Sequence, residues 1–132
     1  MNKPVFKTTS KRGPLPTGCA RLNYAVTPEH PIEGRYRTLD PEERPAYNMH
    51  YEVEFGIVVR GRLRCDYRER TMTLGPGAVW FSGIWEPHRM YVARAPCTLA
   101  LLLASPDIAV PLQPPGRGPR FWLSPFLTPV TE

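Results

Sequence analysis

The stretch Asn48-Met49-His50-Tyr51-Glu52-Val53-Glu54-Phe55-Gly56-Ile57-Val58-Val59-Arg60-Gly61 decides the fold. From Glu54 to Arg60 it is rich in β-branched and aromatic residues, the composition of a strand. His50, Glu52 and Glu54 alternate, so a strand turns all three to one side. A second stretch is its partner: Gly75-Pro76-Gly77-Ala78-Val79-Trp80-Phe81-Ser82-Gly83-Ile84-Trp85-Glu86-Pro87-His88. It reads as a tight turn, a short apolar strand, a bend, and then a histidine. The chain has three histidines, and two of them sit in these segments. Two such segments brought together in a small barrel would enclose a ligand or a metal ion.

The sequence on either side is strand-like. Cys19 to Val26 and Gly34 to Leu39 are strand candidates, separated by breaks at Pro28 and Pro31. The stretch from Asp40 to Pro45 reads as a charged loop. Gly61 suggests a hairpin turn between Glu54–Arg60 and Arg62–Tyr67. Strands then follow at Thr71–Leu74, Val79–Ser82, His88–Ala93 and Cys97–Ala104, with a turn expected at Ala95-Pro96. No segment has the period and caps of a long amphipathic helix. The 17 prolines argue the same way, since each removes a backbone donor. Many short strands at close intervals imply an all-β sandwich or barrel.

A chain of 132 residues supports one domain with one core. Residues 1–19 read as a flexible arm, 20–105 as the barrel, and 106–132 as a proline-rich extended tail. That tail either packs on the barrel or leads to a further domain, and Phe121-Trp122-Leu123 is its compact apolar patch. No apolar run reaches the ~20 residues of a membrane helix, and the N-terminus lacks a signal-peptide core. The expectation is a cytoplasmic protein without membrane contact. Cys19, Cys65 and Cys97 are too few and too scattered for a disulfide framework or a structural zinc site. The net charge of +5 owes much to Arg35, Arg37, Arg60, Arg62, Arg64, Arg68 and Arg70. Arg60, Arg62 and Arg64 alternate on one strand face, which is either solvated or turned to an anionic partner. Without a helix-turn-helix pattern, direct nucleic-acid binding is not expected.

The two histidine segments resemble the two motifs of the cupin superfamily. In the first, His50, Glu54 and the closing Gly61 match, Asn48 stands where the first histidine belongs, and Glu42 replaces the leading glycine. In the second, Gly77 and His88 match, and Gly83-Ile84-Trp85 replaces the Pro-x-Gly. The Gly-Pro-Gly turn, the strand and the Trp-Glu-Pro-His run are similar to the N-terminal sensor domain of AraC-type transcription regulators. The resemblance implies a single-domain cupin, a jelly-roll or double-stranded β-helix barrel. It implies a small-molecule effector bound inside, a homodimer, and a DNA-binding domain that this chain does not supply. The alternative is a stand-alone metal-dependent cupin enzyme, such as a dioxygenase or isomerase.

His50, Glu54, Trp85 and His88 are the expected ligand contacts. His50, Glu54 and His88 are the candidate ligands of a divalent ion: zinc, nickel, iron or manganese. A straight strand would hold residues 50 and 54 about 13 Å apart, so the chain must bend between them. Nothing local announces that bend. The other outcome is a buried hydrogen-bonded cluster without metal. Glu52 either joins the interior or ends in solvent. Trp80 and Phe81 face opposite ways, Arg89 either meets an acidic effector or is solvated, and His30 reads as a loop residue. No nucleophile elbow or phosphate loop occurs.

Overall fold

The structure is a computed structural model that describes residues 15–108; the arm before them and the tail beyond, Phe121-Trp122-Leu123 included, lie outside. Seven strands follow in order: β1 (Ala20–Arg21), β2 (Ile32–Leu39), β3 (Asn48–Met49), β4 (Val53–Tyr67), β5 (Thr71–Leu74), β6 (Val79–Ser82) and β7 (His88–Ala104). The architecture is all-β, as expected. Among the described residues no helix is long and apolar enough to cross a membrane.

The frame is one long antiparallel ladder between β4 and β7, from Val53↔Ala104 to Tyr67↔His88. β2 covers the other edge of the C-terminal half of β7, and β6 pairs with the N-terminal half of β4. β5 pairs with the C-terminal half of β4, while β3 meets β7 at Asn48↔His88 and carries β1 in parallel.

The hairpin expected at Gly61 and the turn expected at Ala95-Pro96 are not there. β4 and β7 run straight through both positions as single strands. The register shifts instead, from Arg60↔Thr98 to Arg62↔Arg94 to Leu63↔Val92. Gly61 takes φ +81°, a conformation that serves a bulge as well as a turn. Pro96, which has no N–H for a ladder, falls in the same irregular patch.

That patch is where the ladder folds over. Glu54 and Tyr67 would be about 43 Å apart along a straight strand. Yet the Tyr67 hydroxyl donates to the Phe81 carbonyl at 3.0 Å and lies 3.1 Å from the Ser82 hydroxyl, on β6, the partner of Glu54. The two ends of the ladder therefore face each other across an interior.

Val58 and Leu63 on β4 and Cys97 and Leu99 on β7 are fully buried on either side of the bulges. With Cys65, Val92, Leu74 and Trp80 they form the core. All three cysteines are free. Burial raises the thiols of Cys65 and Cys97 above their ordinary range, so both act as packing groups. The apolar core fills the folded end, and the polar residues gather at the open end. Arg60 and Arg62 are exposed, whereas Arg64 is tied to Asp66 by a 2.9 Å bond.

Candidate metal centre

His50, Glu54 and His88 come together. One donor atom from each lies within 4.8 Å of the others, and the residues are only 1%, 3% and 2% exposed. His50 precedes β4, and the chain bends at Tyr51 and Glu52. The bend is held from a distance: the Trp85 N–H donates to the His50 carbonyl at 2.8 Å. It brings His50 Nε2 to 3.7 Å from Glu54 Oε2.

The hydrogen bonds fix which nitrogens face inward. His50 Nδ1 lies 2.9 Å from the Glu52 carbonyl, and His88 Nδ1 lies 2.8 Å from the Glu86 carbonyl. Carbonyls only accept, so each Nδ1 carries a proton, and in the neutral ring each Nε2 keeps the lone pair. This is the arrangement in which ligating histidines are oriented by a backbone acceptor. The rings stand edge to face with centroids 5.0 Å apart. Glu54 is oriented in turn by the Trp80 indole N–H, which donates to Oε1 at 2.9 Å.

The electrostatics agree. Burial pushes the Glu54 carboxyl up, but the two imidazoles and the Trp80 N–H outweigh it, and the group lies below the usual range. Burial holds the His88 imidazole below its ordinary value, with Glu54 opposing.

Among the described residues, four buried side-chain atoms lack a hydrogen-bond partner: Asn48 Oδ1, His50 Nε2, Glu52 Oε2 and Glu33 Oε2. Three of them lie in the His50 segment. Glu33 belongs to the same row of the sheet as Glu54, both in register with Leu103. Orphaned buried polar atoms are rare because each costs desolvation without return. The carboxylate oxygen facing His50 Nε2 is Glu54 Oε2 at 3.7 Å, an ion-pair distance too long for a hydrogen bond, and a cation between them would satisfy both. Two donors at 2.0–2.2 Å from one ion stand about 3–3.5 Å apart, and the trio, within 4.8 Å, would close by at most about 1.3–1.8 Å to reach that spacing. The residues fit a divalent ion.

Glu54, His88 and Asn48 open onto a cavity of about 370 Å³. Glu52 is buried, but it stands behind His50, with Oε2 3.7 Å from Nδ1. Trp80 is buried and Phe81 lies against Phe55, as their alternation requires. Trp85 does not line the cavity. Its backbone is left-handed, φ +54°, the residue is 42% exposed, and its ring lies against Tyr51 and Arg21. What reaches the site is its backbone N–H. Arg89 is bound to Asp66 at 3.0 Å, and His30 is an exposed loop residue.

Sequence reasoning missed Tyr24. It sits outside any strand, edge-on to His50 with centroids 5.1 Å apart, beneath the Arg35 guanidinium at 4.6 Å. Burial, with Glu54 adding, raises its phenol above the ordinary value, so it keeps its proton. Its neighbours come from β2 and from the stretch before β4, and no local pattern marks it.

No protein-family profile and no curated protein matches the chain. Solved structures do. A Cupin 2 conserved barrel domain protein from Salinispora arenicola CNS-205 superposes with a TM-score of 0.53 at 14% identity, covering 68% of this chain and 76% of that one. HppE in its iron(II) form gives 0.51 at 18% identity, over 57% of this chain and 43% of that one. An HTH_3 family transcriptional regulator from Vibrio cholerae gives 0.50 at 16% identity, over 61% and 47%. The fold is that of the cupin jelly-roll barrel.

Proposed function

We propose that this chain is a metal-dependent cupin enzyme acting on a small molecule that enters the cavity beside Glu54 and His88. His50, Glu54 and His88 would hold the ion as a 2-His-1-carboxylate set, which suits iron, manganese, nickel or zinc. The observation that carries the reading is the orphaned Nε2 of His50 facing the Glu54 carboxylate, with both rings locked in the ligating tautomer. When bound, such an ion supplies Lewis acidity and, if redox-active, oxygen activation.

The chain's own residues do the rest. Trp80 holds Glu54 in place, and the carbonyls of Glu52 and Glu86 hold the rings. Tyr24 offers a protonated phenol to an oxygen of the bound molecule. Three protein ligands leave positions free on the cavity side, as a catalytic ion requires and a closed structural site does not.

A second reading is an effector sensor of the AraC type. It draws support from Ala20, Leu22 and Tyr24, which line the cavity just after the N-terminal arm. A ligand there would press on the segment through which the arm joins the barrel.

Elemental analysis of the full chain, reconstituted with iron(II), manganese, nickel and zinc in turn, tests the metal. About one ion per chain is expected, falling to background in His50→Ala. A wild-type chain that retains none of the four ions overturns the reading. Turnover-independent ligand binding that changes proteolysis of the N-terminal arm would favour the sensor.

A further inference from the structure

The inner face of β2 carries Glu33, Arg35, Arg37 and Leu39 in alternation, and the last three line the cavity. Arg35 is held in place: Nε bonds Glu33 Oε1 at 2.6 Å, and the guanidinium covers the Tyr24 ring. Arg37, the next residue on that face, is exposed at the edge of the cavity. It makes no hydrogen bond or ion pair with any described residue. Leu99 is its register partner on β7, and Leu101, Met90, Tyr47 and Tyr91 are further apolar or aromatic parts of the cavity lining.

The remaining lining charges are Glu54, which faces the ion site, and Asp40 and Glu43. These two are exposed in the loop between β2 and β3. The Asp40 carboxylate already accepts the Glu42 N–H at 2.8 Å. Arg37 therefore offers an unpaired fork of N–H donors to a chamber of mixed lining, with Asn48, Glu54 and His88 among its walls and the exposed Asp40 and Glu43 beside them. A planar guanidinium matches a carboxylate bidentately. The acidic rim disfavours a ligand with a second negative charge. A volume of about 370 Å³ is that of a small organic molecule.

We infer that the cavity selects a small monocarboxylate with an aromatic or aliphatic body. Its carboxylate pairs with Arg37, and its body lies against Tyr24, Tyr47 and Tyr91. This names the substrate class of the metal-dependent reading above, because the same chamber opens onto Glu54 and His88. Arg37 is a binding residue here, and the specificity is for charge and number of charges.

The test is calorimetric titration of the full chain, both zinc-loaded and chelator-stripped, with benzoate, benzamide and phthalate. These are matched in ring size and carry one, no and two negative charges. Benzoate is expected to bind saturably, with benzamide and phthalate weaker by on the order of tenfold or more. Arg37→Gln is expected to lose about that factor for benzoate and leave benzamide unchanged. Arg37→Lys keeps part of the gain. Arg62→Gln, an exposed arginine elsewhere, leaves all three unchanged.

The inference is overturned if benzoate binds no better than benzamide in both metal states. It is equally overturned if Arg37→Gln, with an unchanged melting temperature, binds benzoate like wild type. Zinc content is read separately. Arg37-dependent benzoate binding in a chain that retains none of the four ions would sink the metal reading and uphold this one. Stoichiometric zinc with no charge discrimination would do the reverse.

Discussion

The two faces of the four strands β2, β7, β4 and β6 invert the ordinary distribution of polarity. Outside, Phe81, Phe55 and Leu102 lie in one row and Val79, Ile57, Ala100 and Tyr36 in the next. Val79 and Tyr36 are each 70% exposed, and Phe55, Ile57 and Leu102 stand near 40%. Inside, at the same end of the strands, Glu54 is buried with His50 and His88. Exposed apolar residues are common on protein surfaces, whereas buried polar groups without partners are not. The inner face therefore carries the candidate site. Substitution separates them: outer changes should leave the fold indifferent, and inner changes should move binding more than stability.

The largest effect should come from removing the inside altogether. A Cβ at Gly61 would collide with the carbonyl oxygens of Pro96 and Arg94, at a φ that L side chains avoid. Gly61→Val should cost about 3 kcal/mol or more and lower the denaturant midpoint accordingly. A midpoint close to wild type would show that the fold-over does not depend on this bulge.

Next come the ligands. Glu54→Gln should weaken metal binding by more than roughly a hundredfold, measured by competition with a chelator. The metal-free variant should unfold within about 1 kcal/mol of wild type, because Trp80 keeps an acceptor and a buried charge is gone. A large loss of metal-free stability would instead place Glu54 among ordinary structural groups.

Gly56→Ala is subtler. Its Cβ would intrude on the Trp80 indole, which lies directly across the ladder. Displacing the indole frees Glu54, and metal affinity should fall about tenfold with all three ligands intact.

Acidification should act on the inside alone. The His88 imidazole is depressed by burial, so the unfolded chain takes up a proton first as pH falls below the ordinary value of about 6.5. Stability of the metal-free protein, present above that pH, should decline through pH 6 to 5. The slope should be shallower in His88→Gln.

The smallest effect is on the outer face. Val79→Thr should stay within about 0.5 kcal/mol by thermal unfolding. A larger loss would mean that this face is covered in solution.

Much of this contrast was legible in the sequence. Alternation separated Trp80 from Phe81, and the strand-rich segments around His50 and His88 gave the fold class. The metal trio followed from residue type. What escaped had non-local causes. Gly61 and Pro96 look like turns because a turn and a bulge ask for the same backbone freedom or the same missing donor; only pairing tells them apart. The bend at Tyr51 and Glu52 is made by the Trp85 N–H, 34 residues away in the chain. Trp85 itself looked like a pocket wall, but a left-handed backbone turns its ring outward. Tyr24 gains its place from Arg35 and His50, which no window of sequence joins to it.

The shared bulges of β4 and β7 have a mechanical consequence. From Gly61 to Glu54 is a lever of about 23 Å, and the opposite arm, from Gly61 to Tyr67 and the adjoining His88, is nearly as long. A rocking of only 5° at the fulcrum would sweep the tips about 2 Å past each other, which is the length of a metal–ligand bond. The fit of the jaws is thus set at the elbow, and a change near Pro96 that touches neither histidine would loosen the grip as surely as trimming one of them.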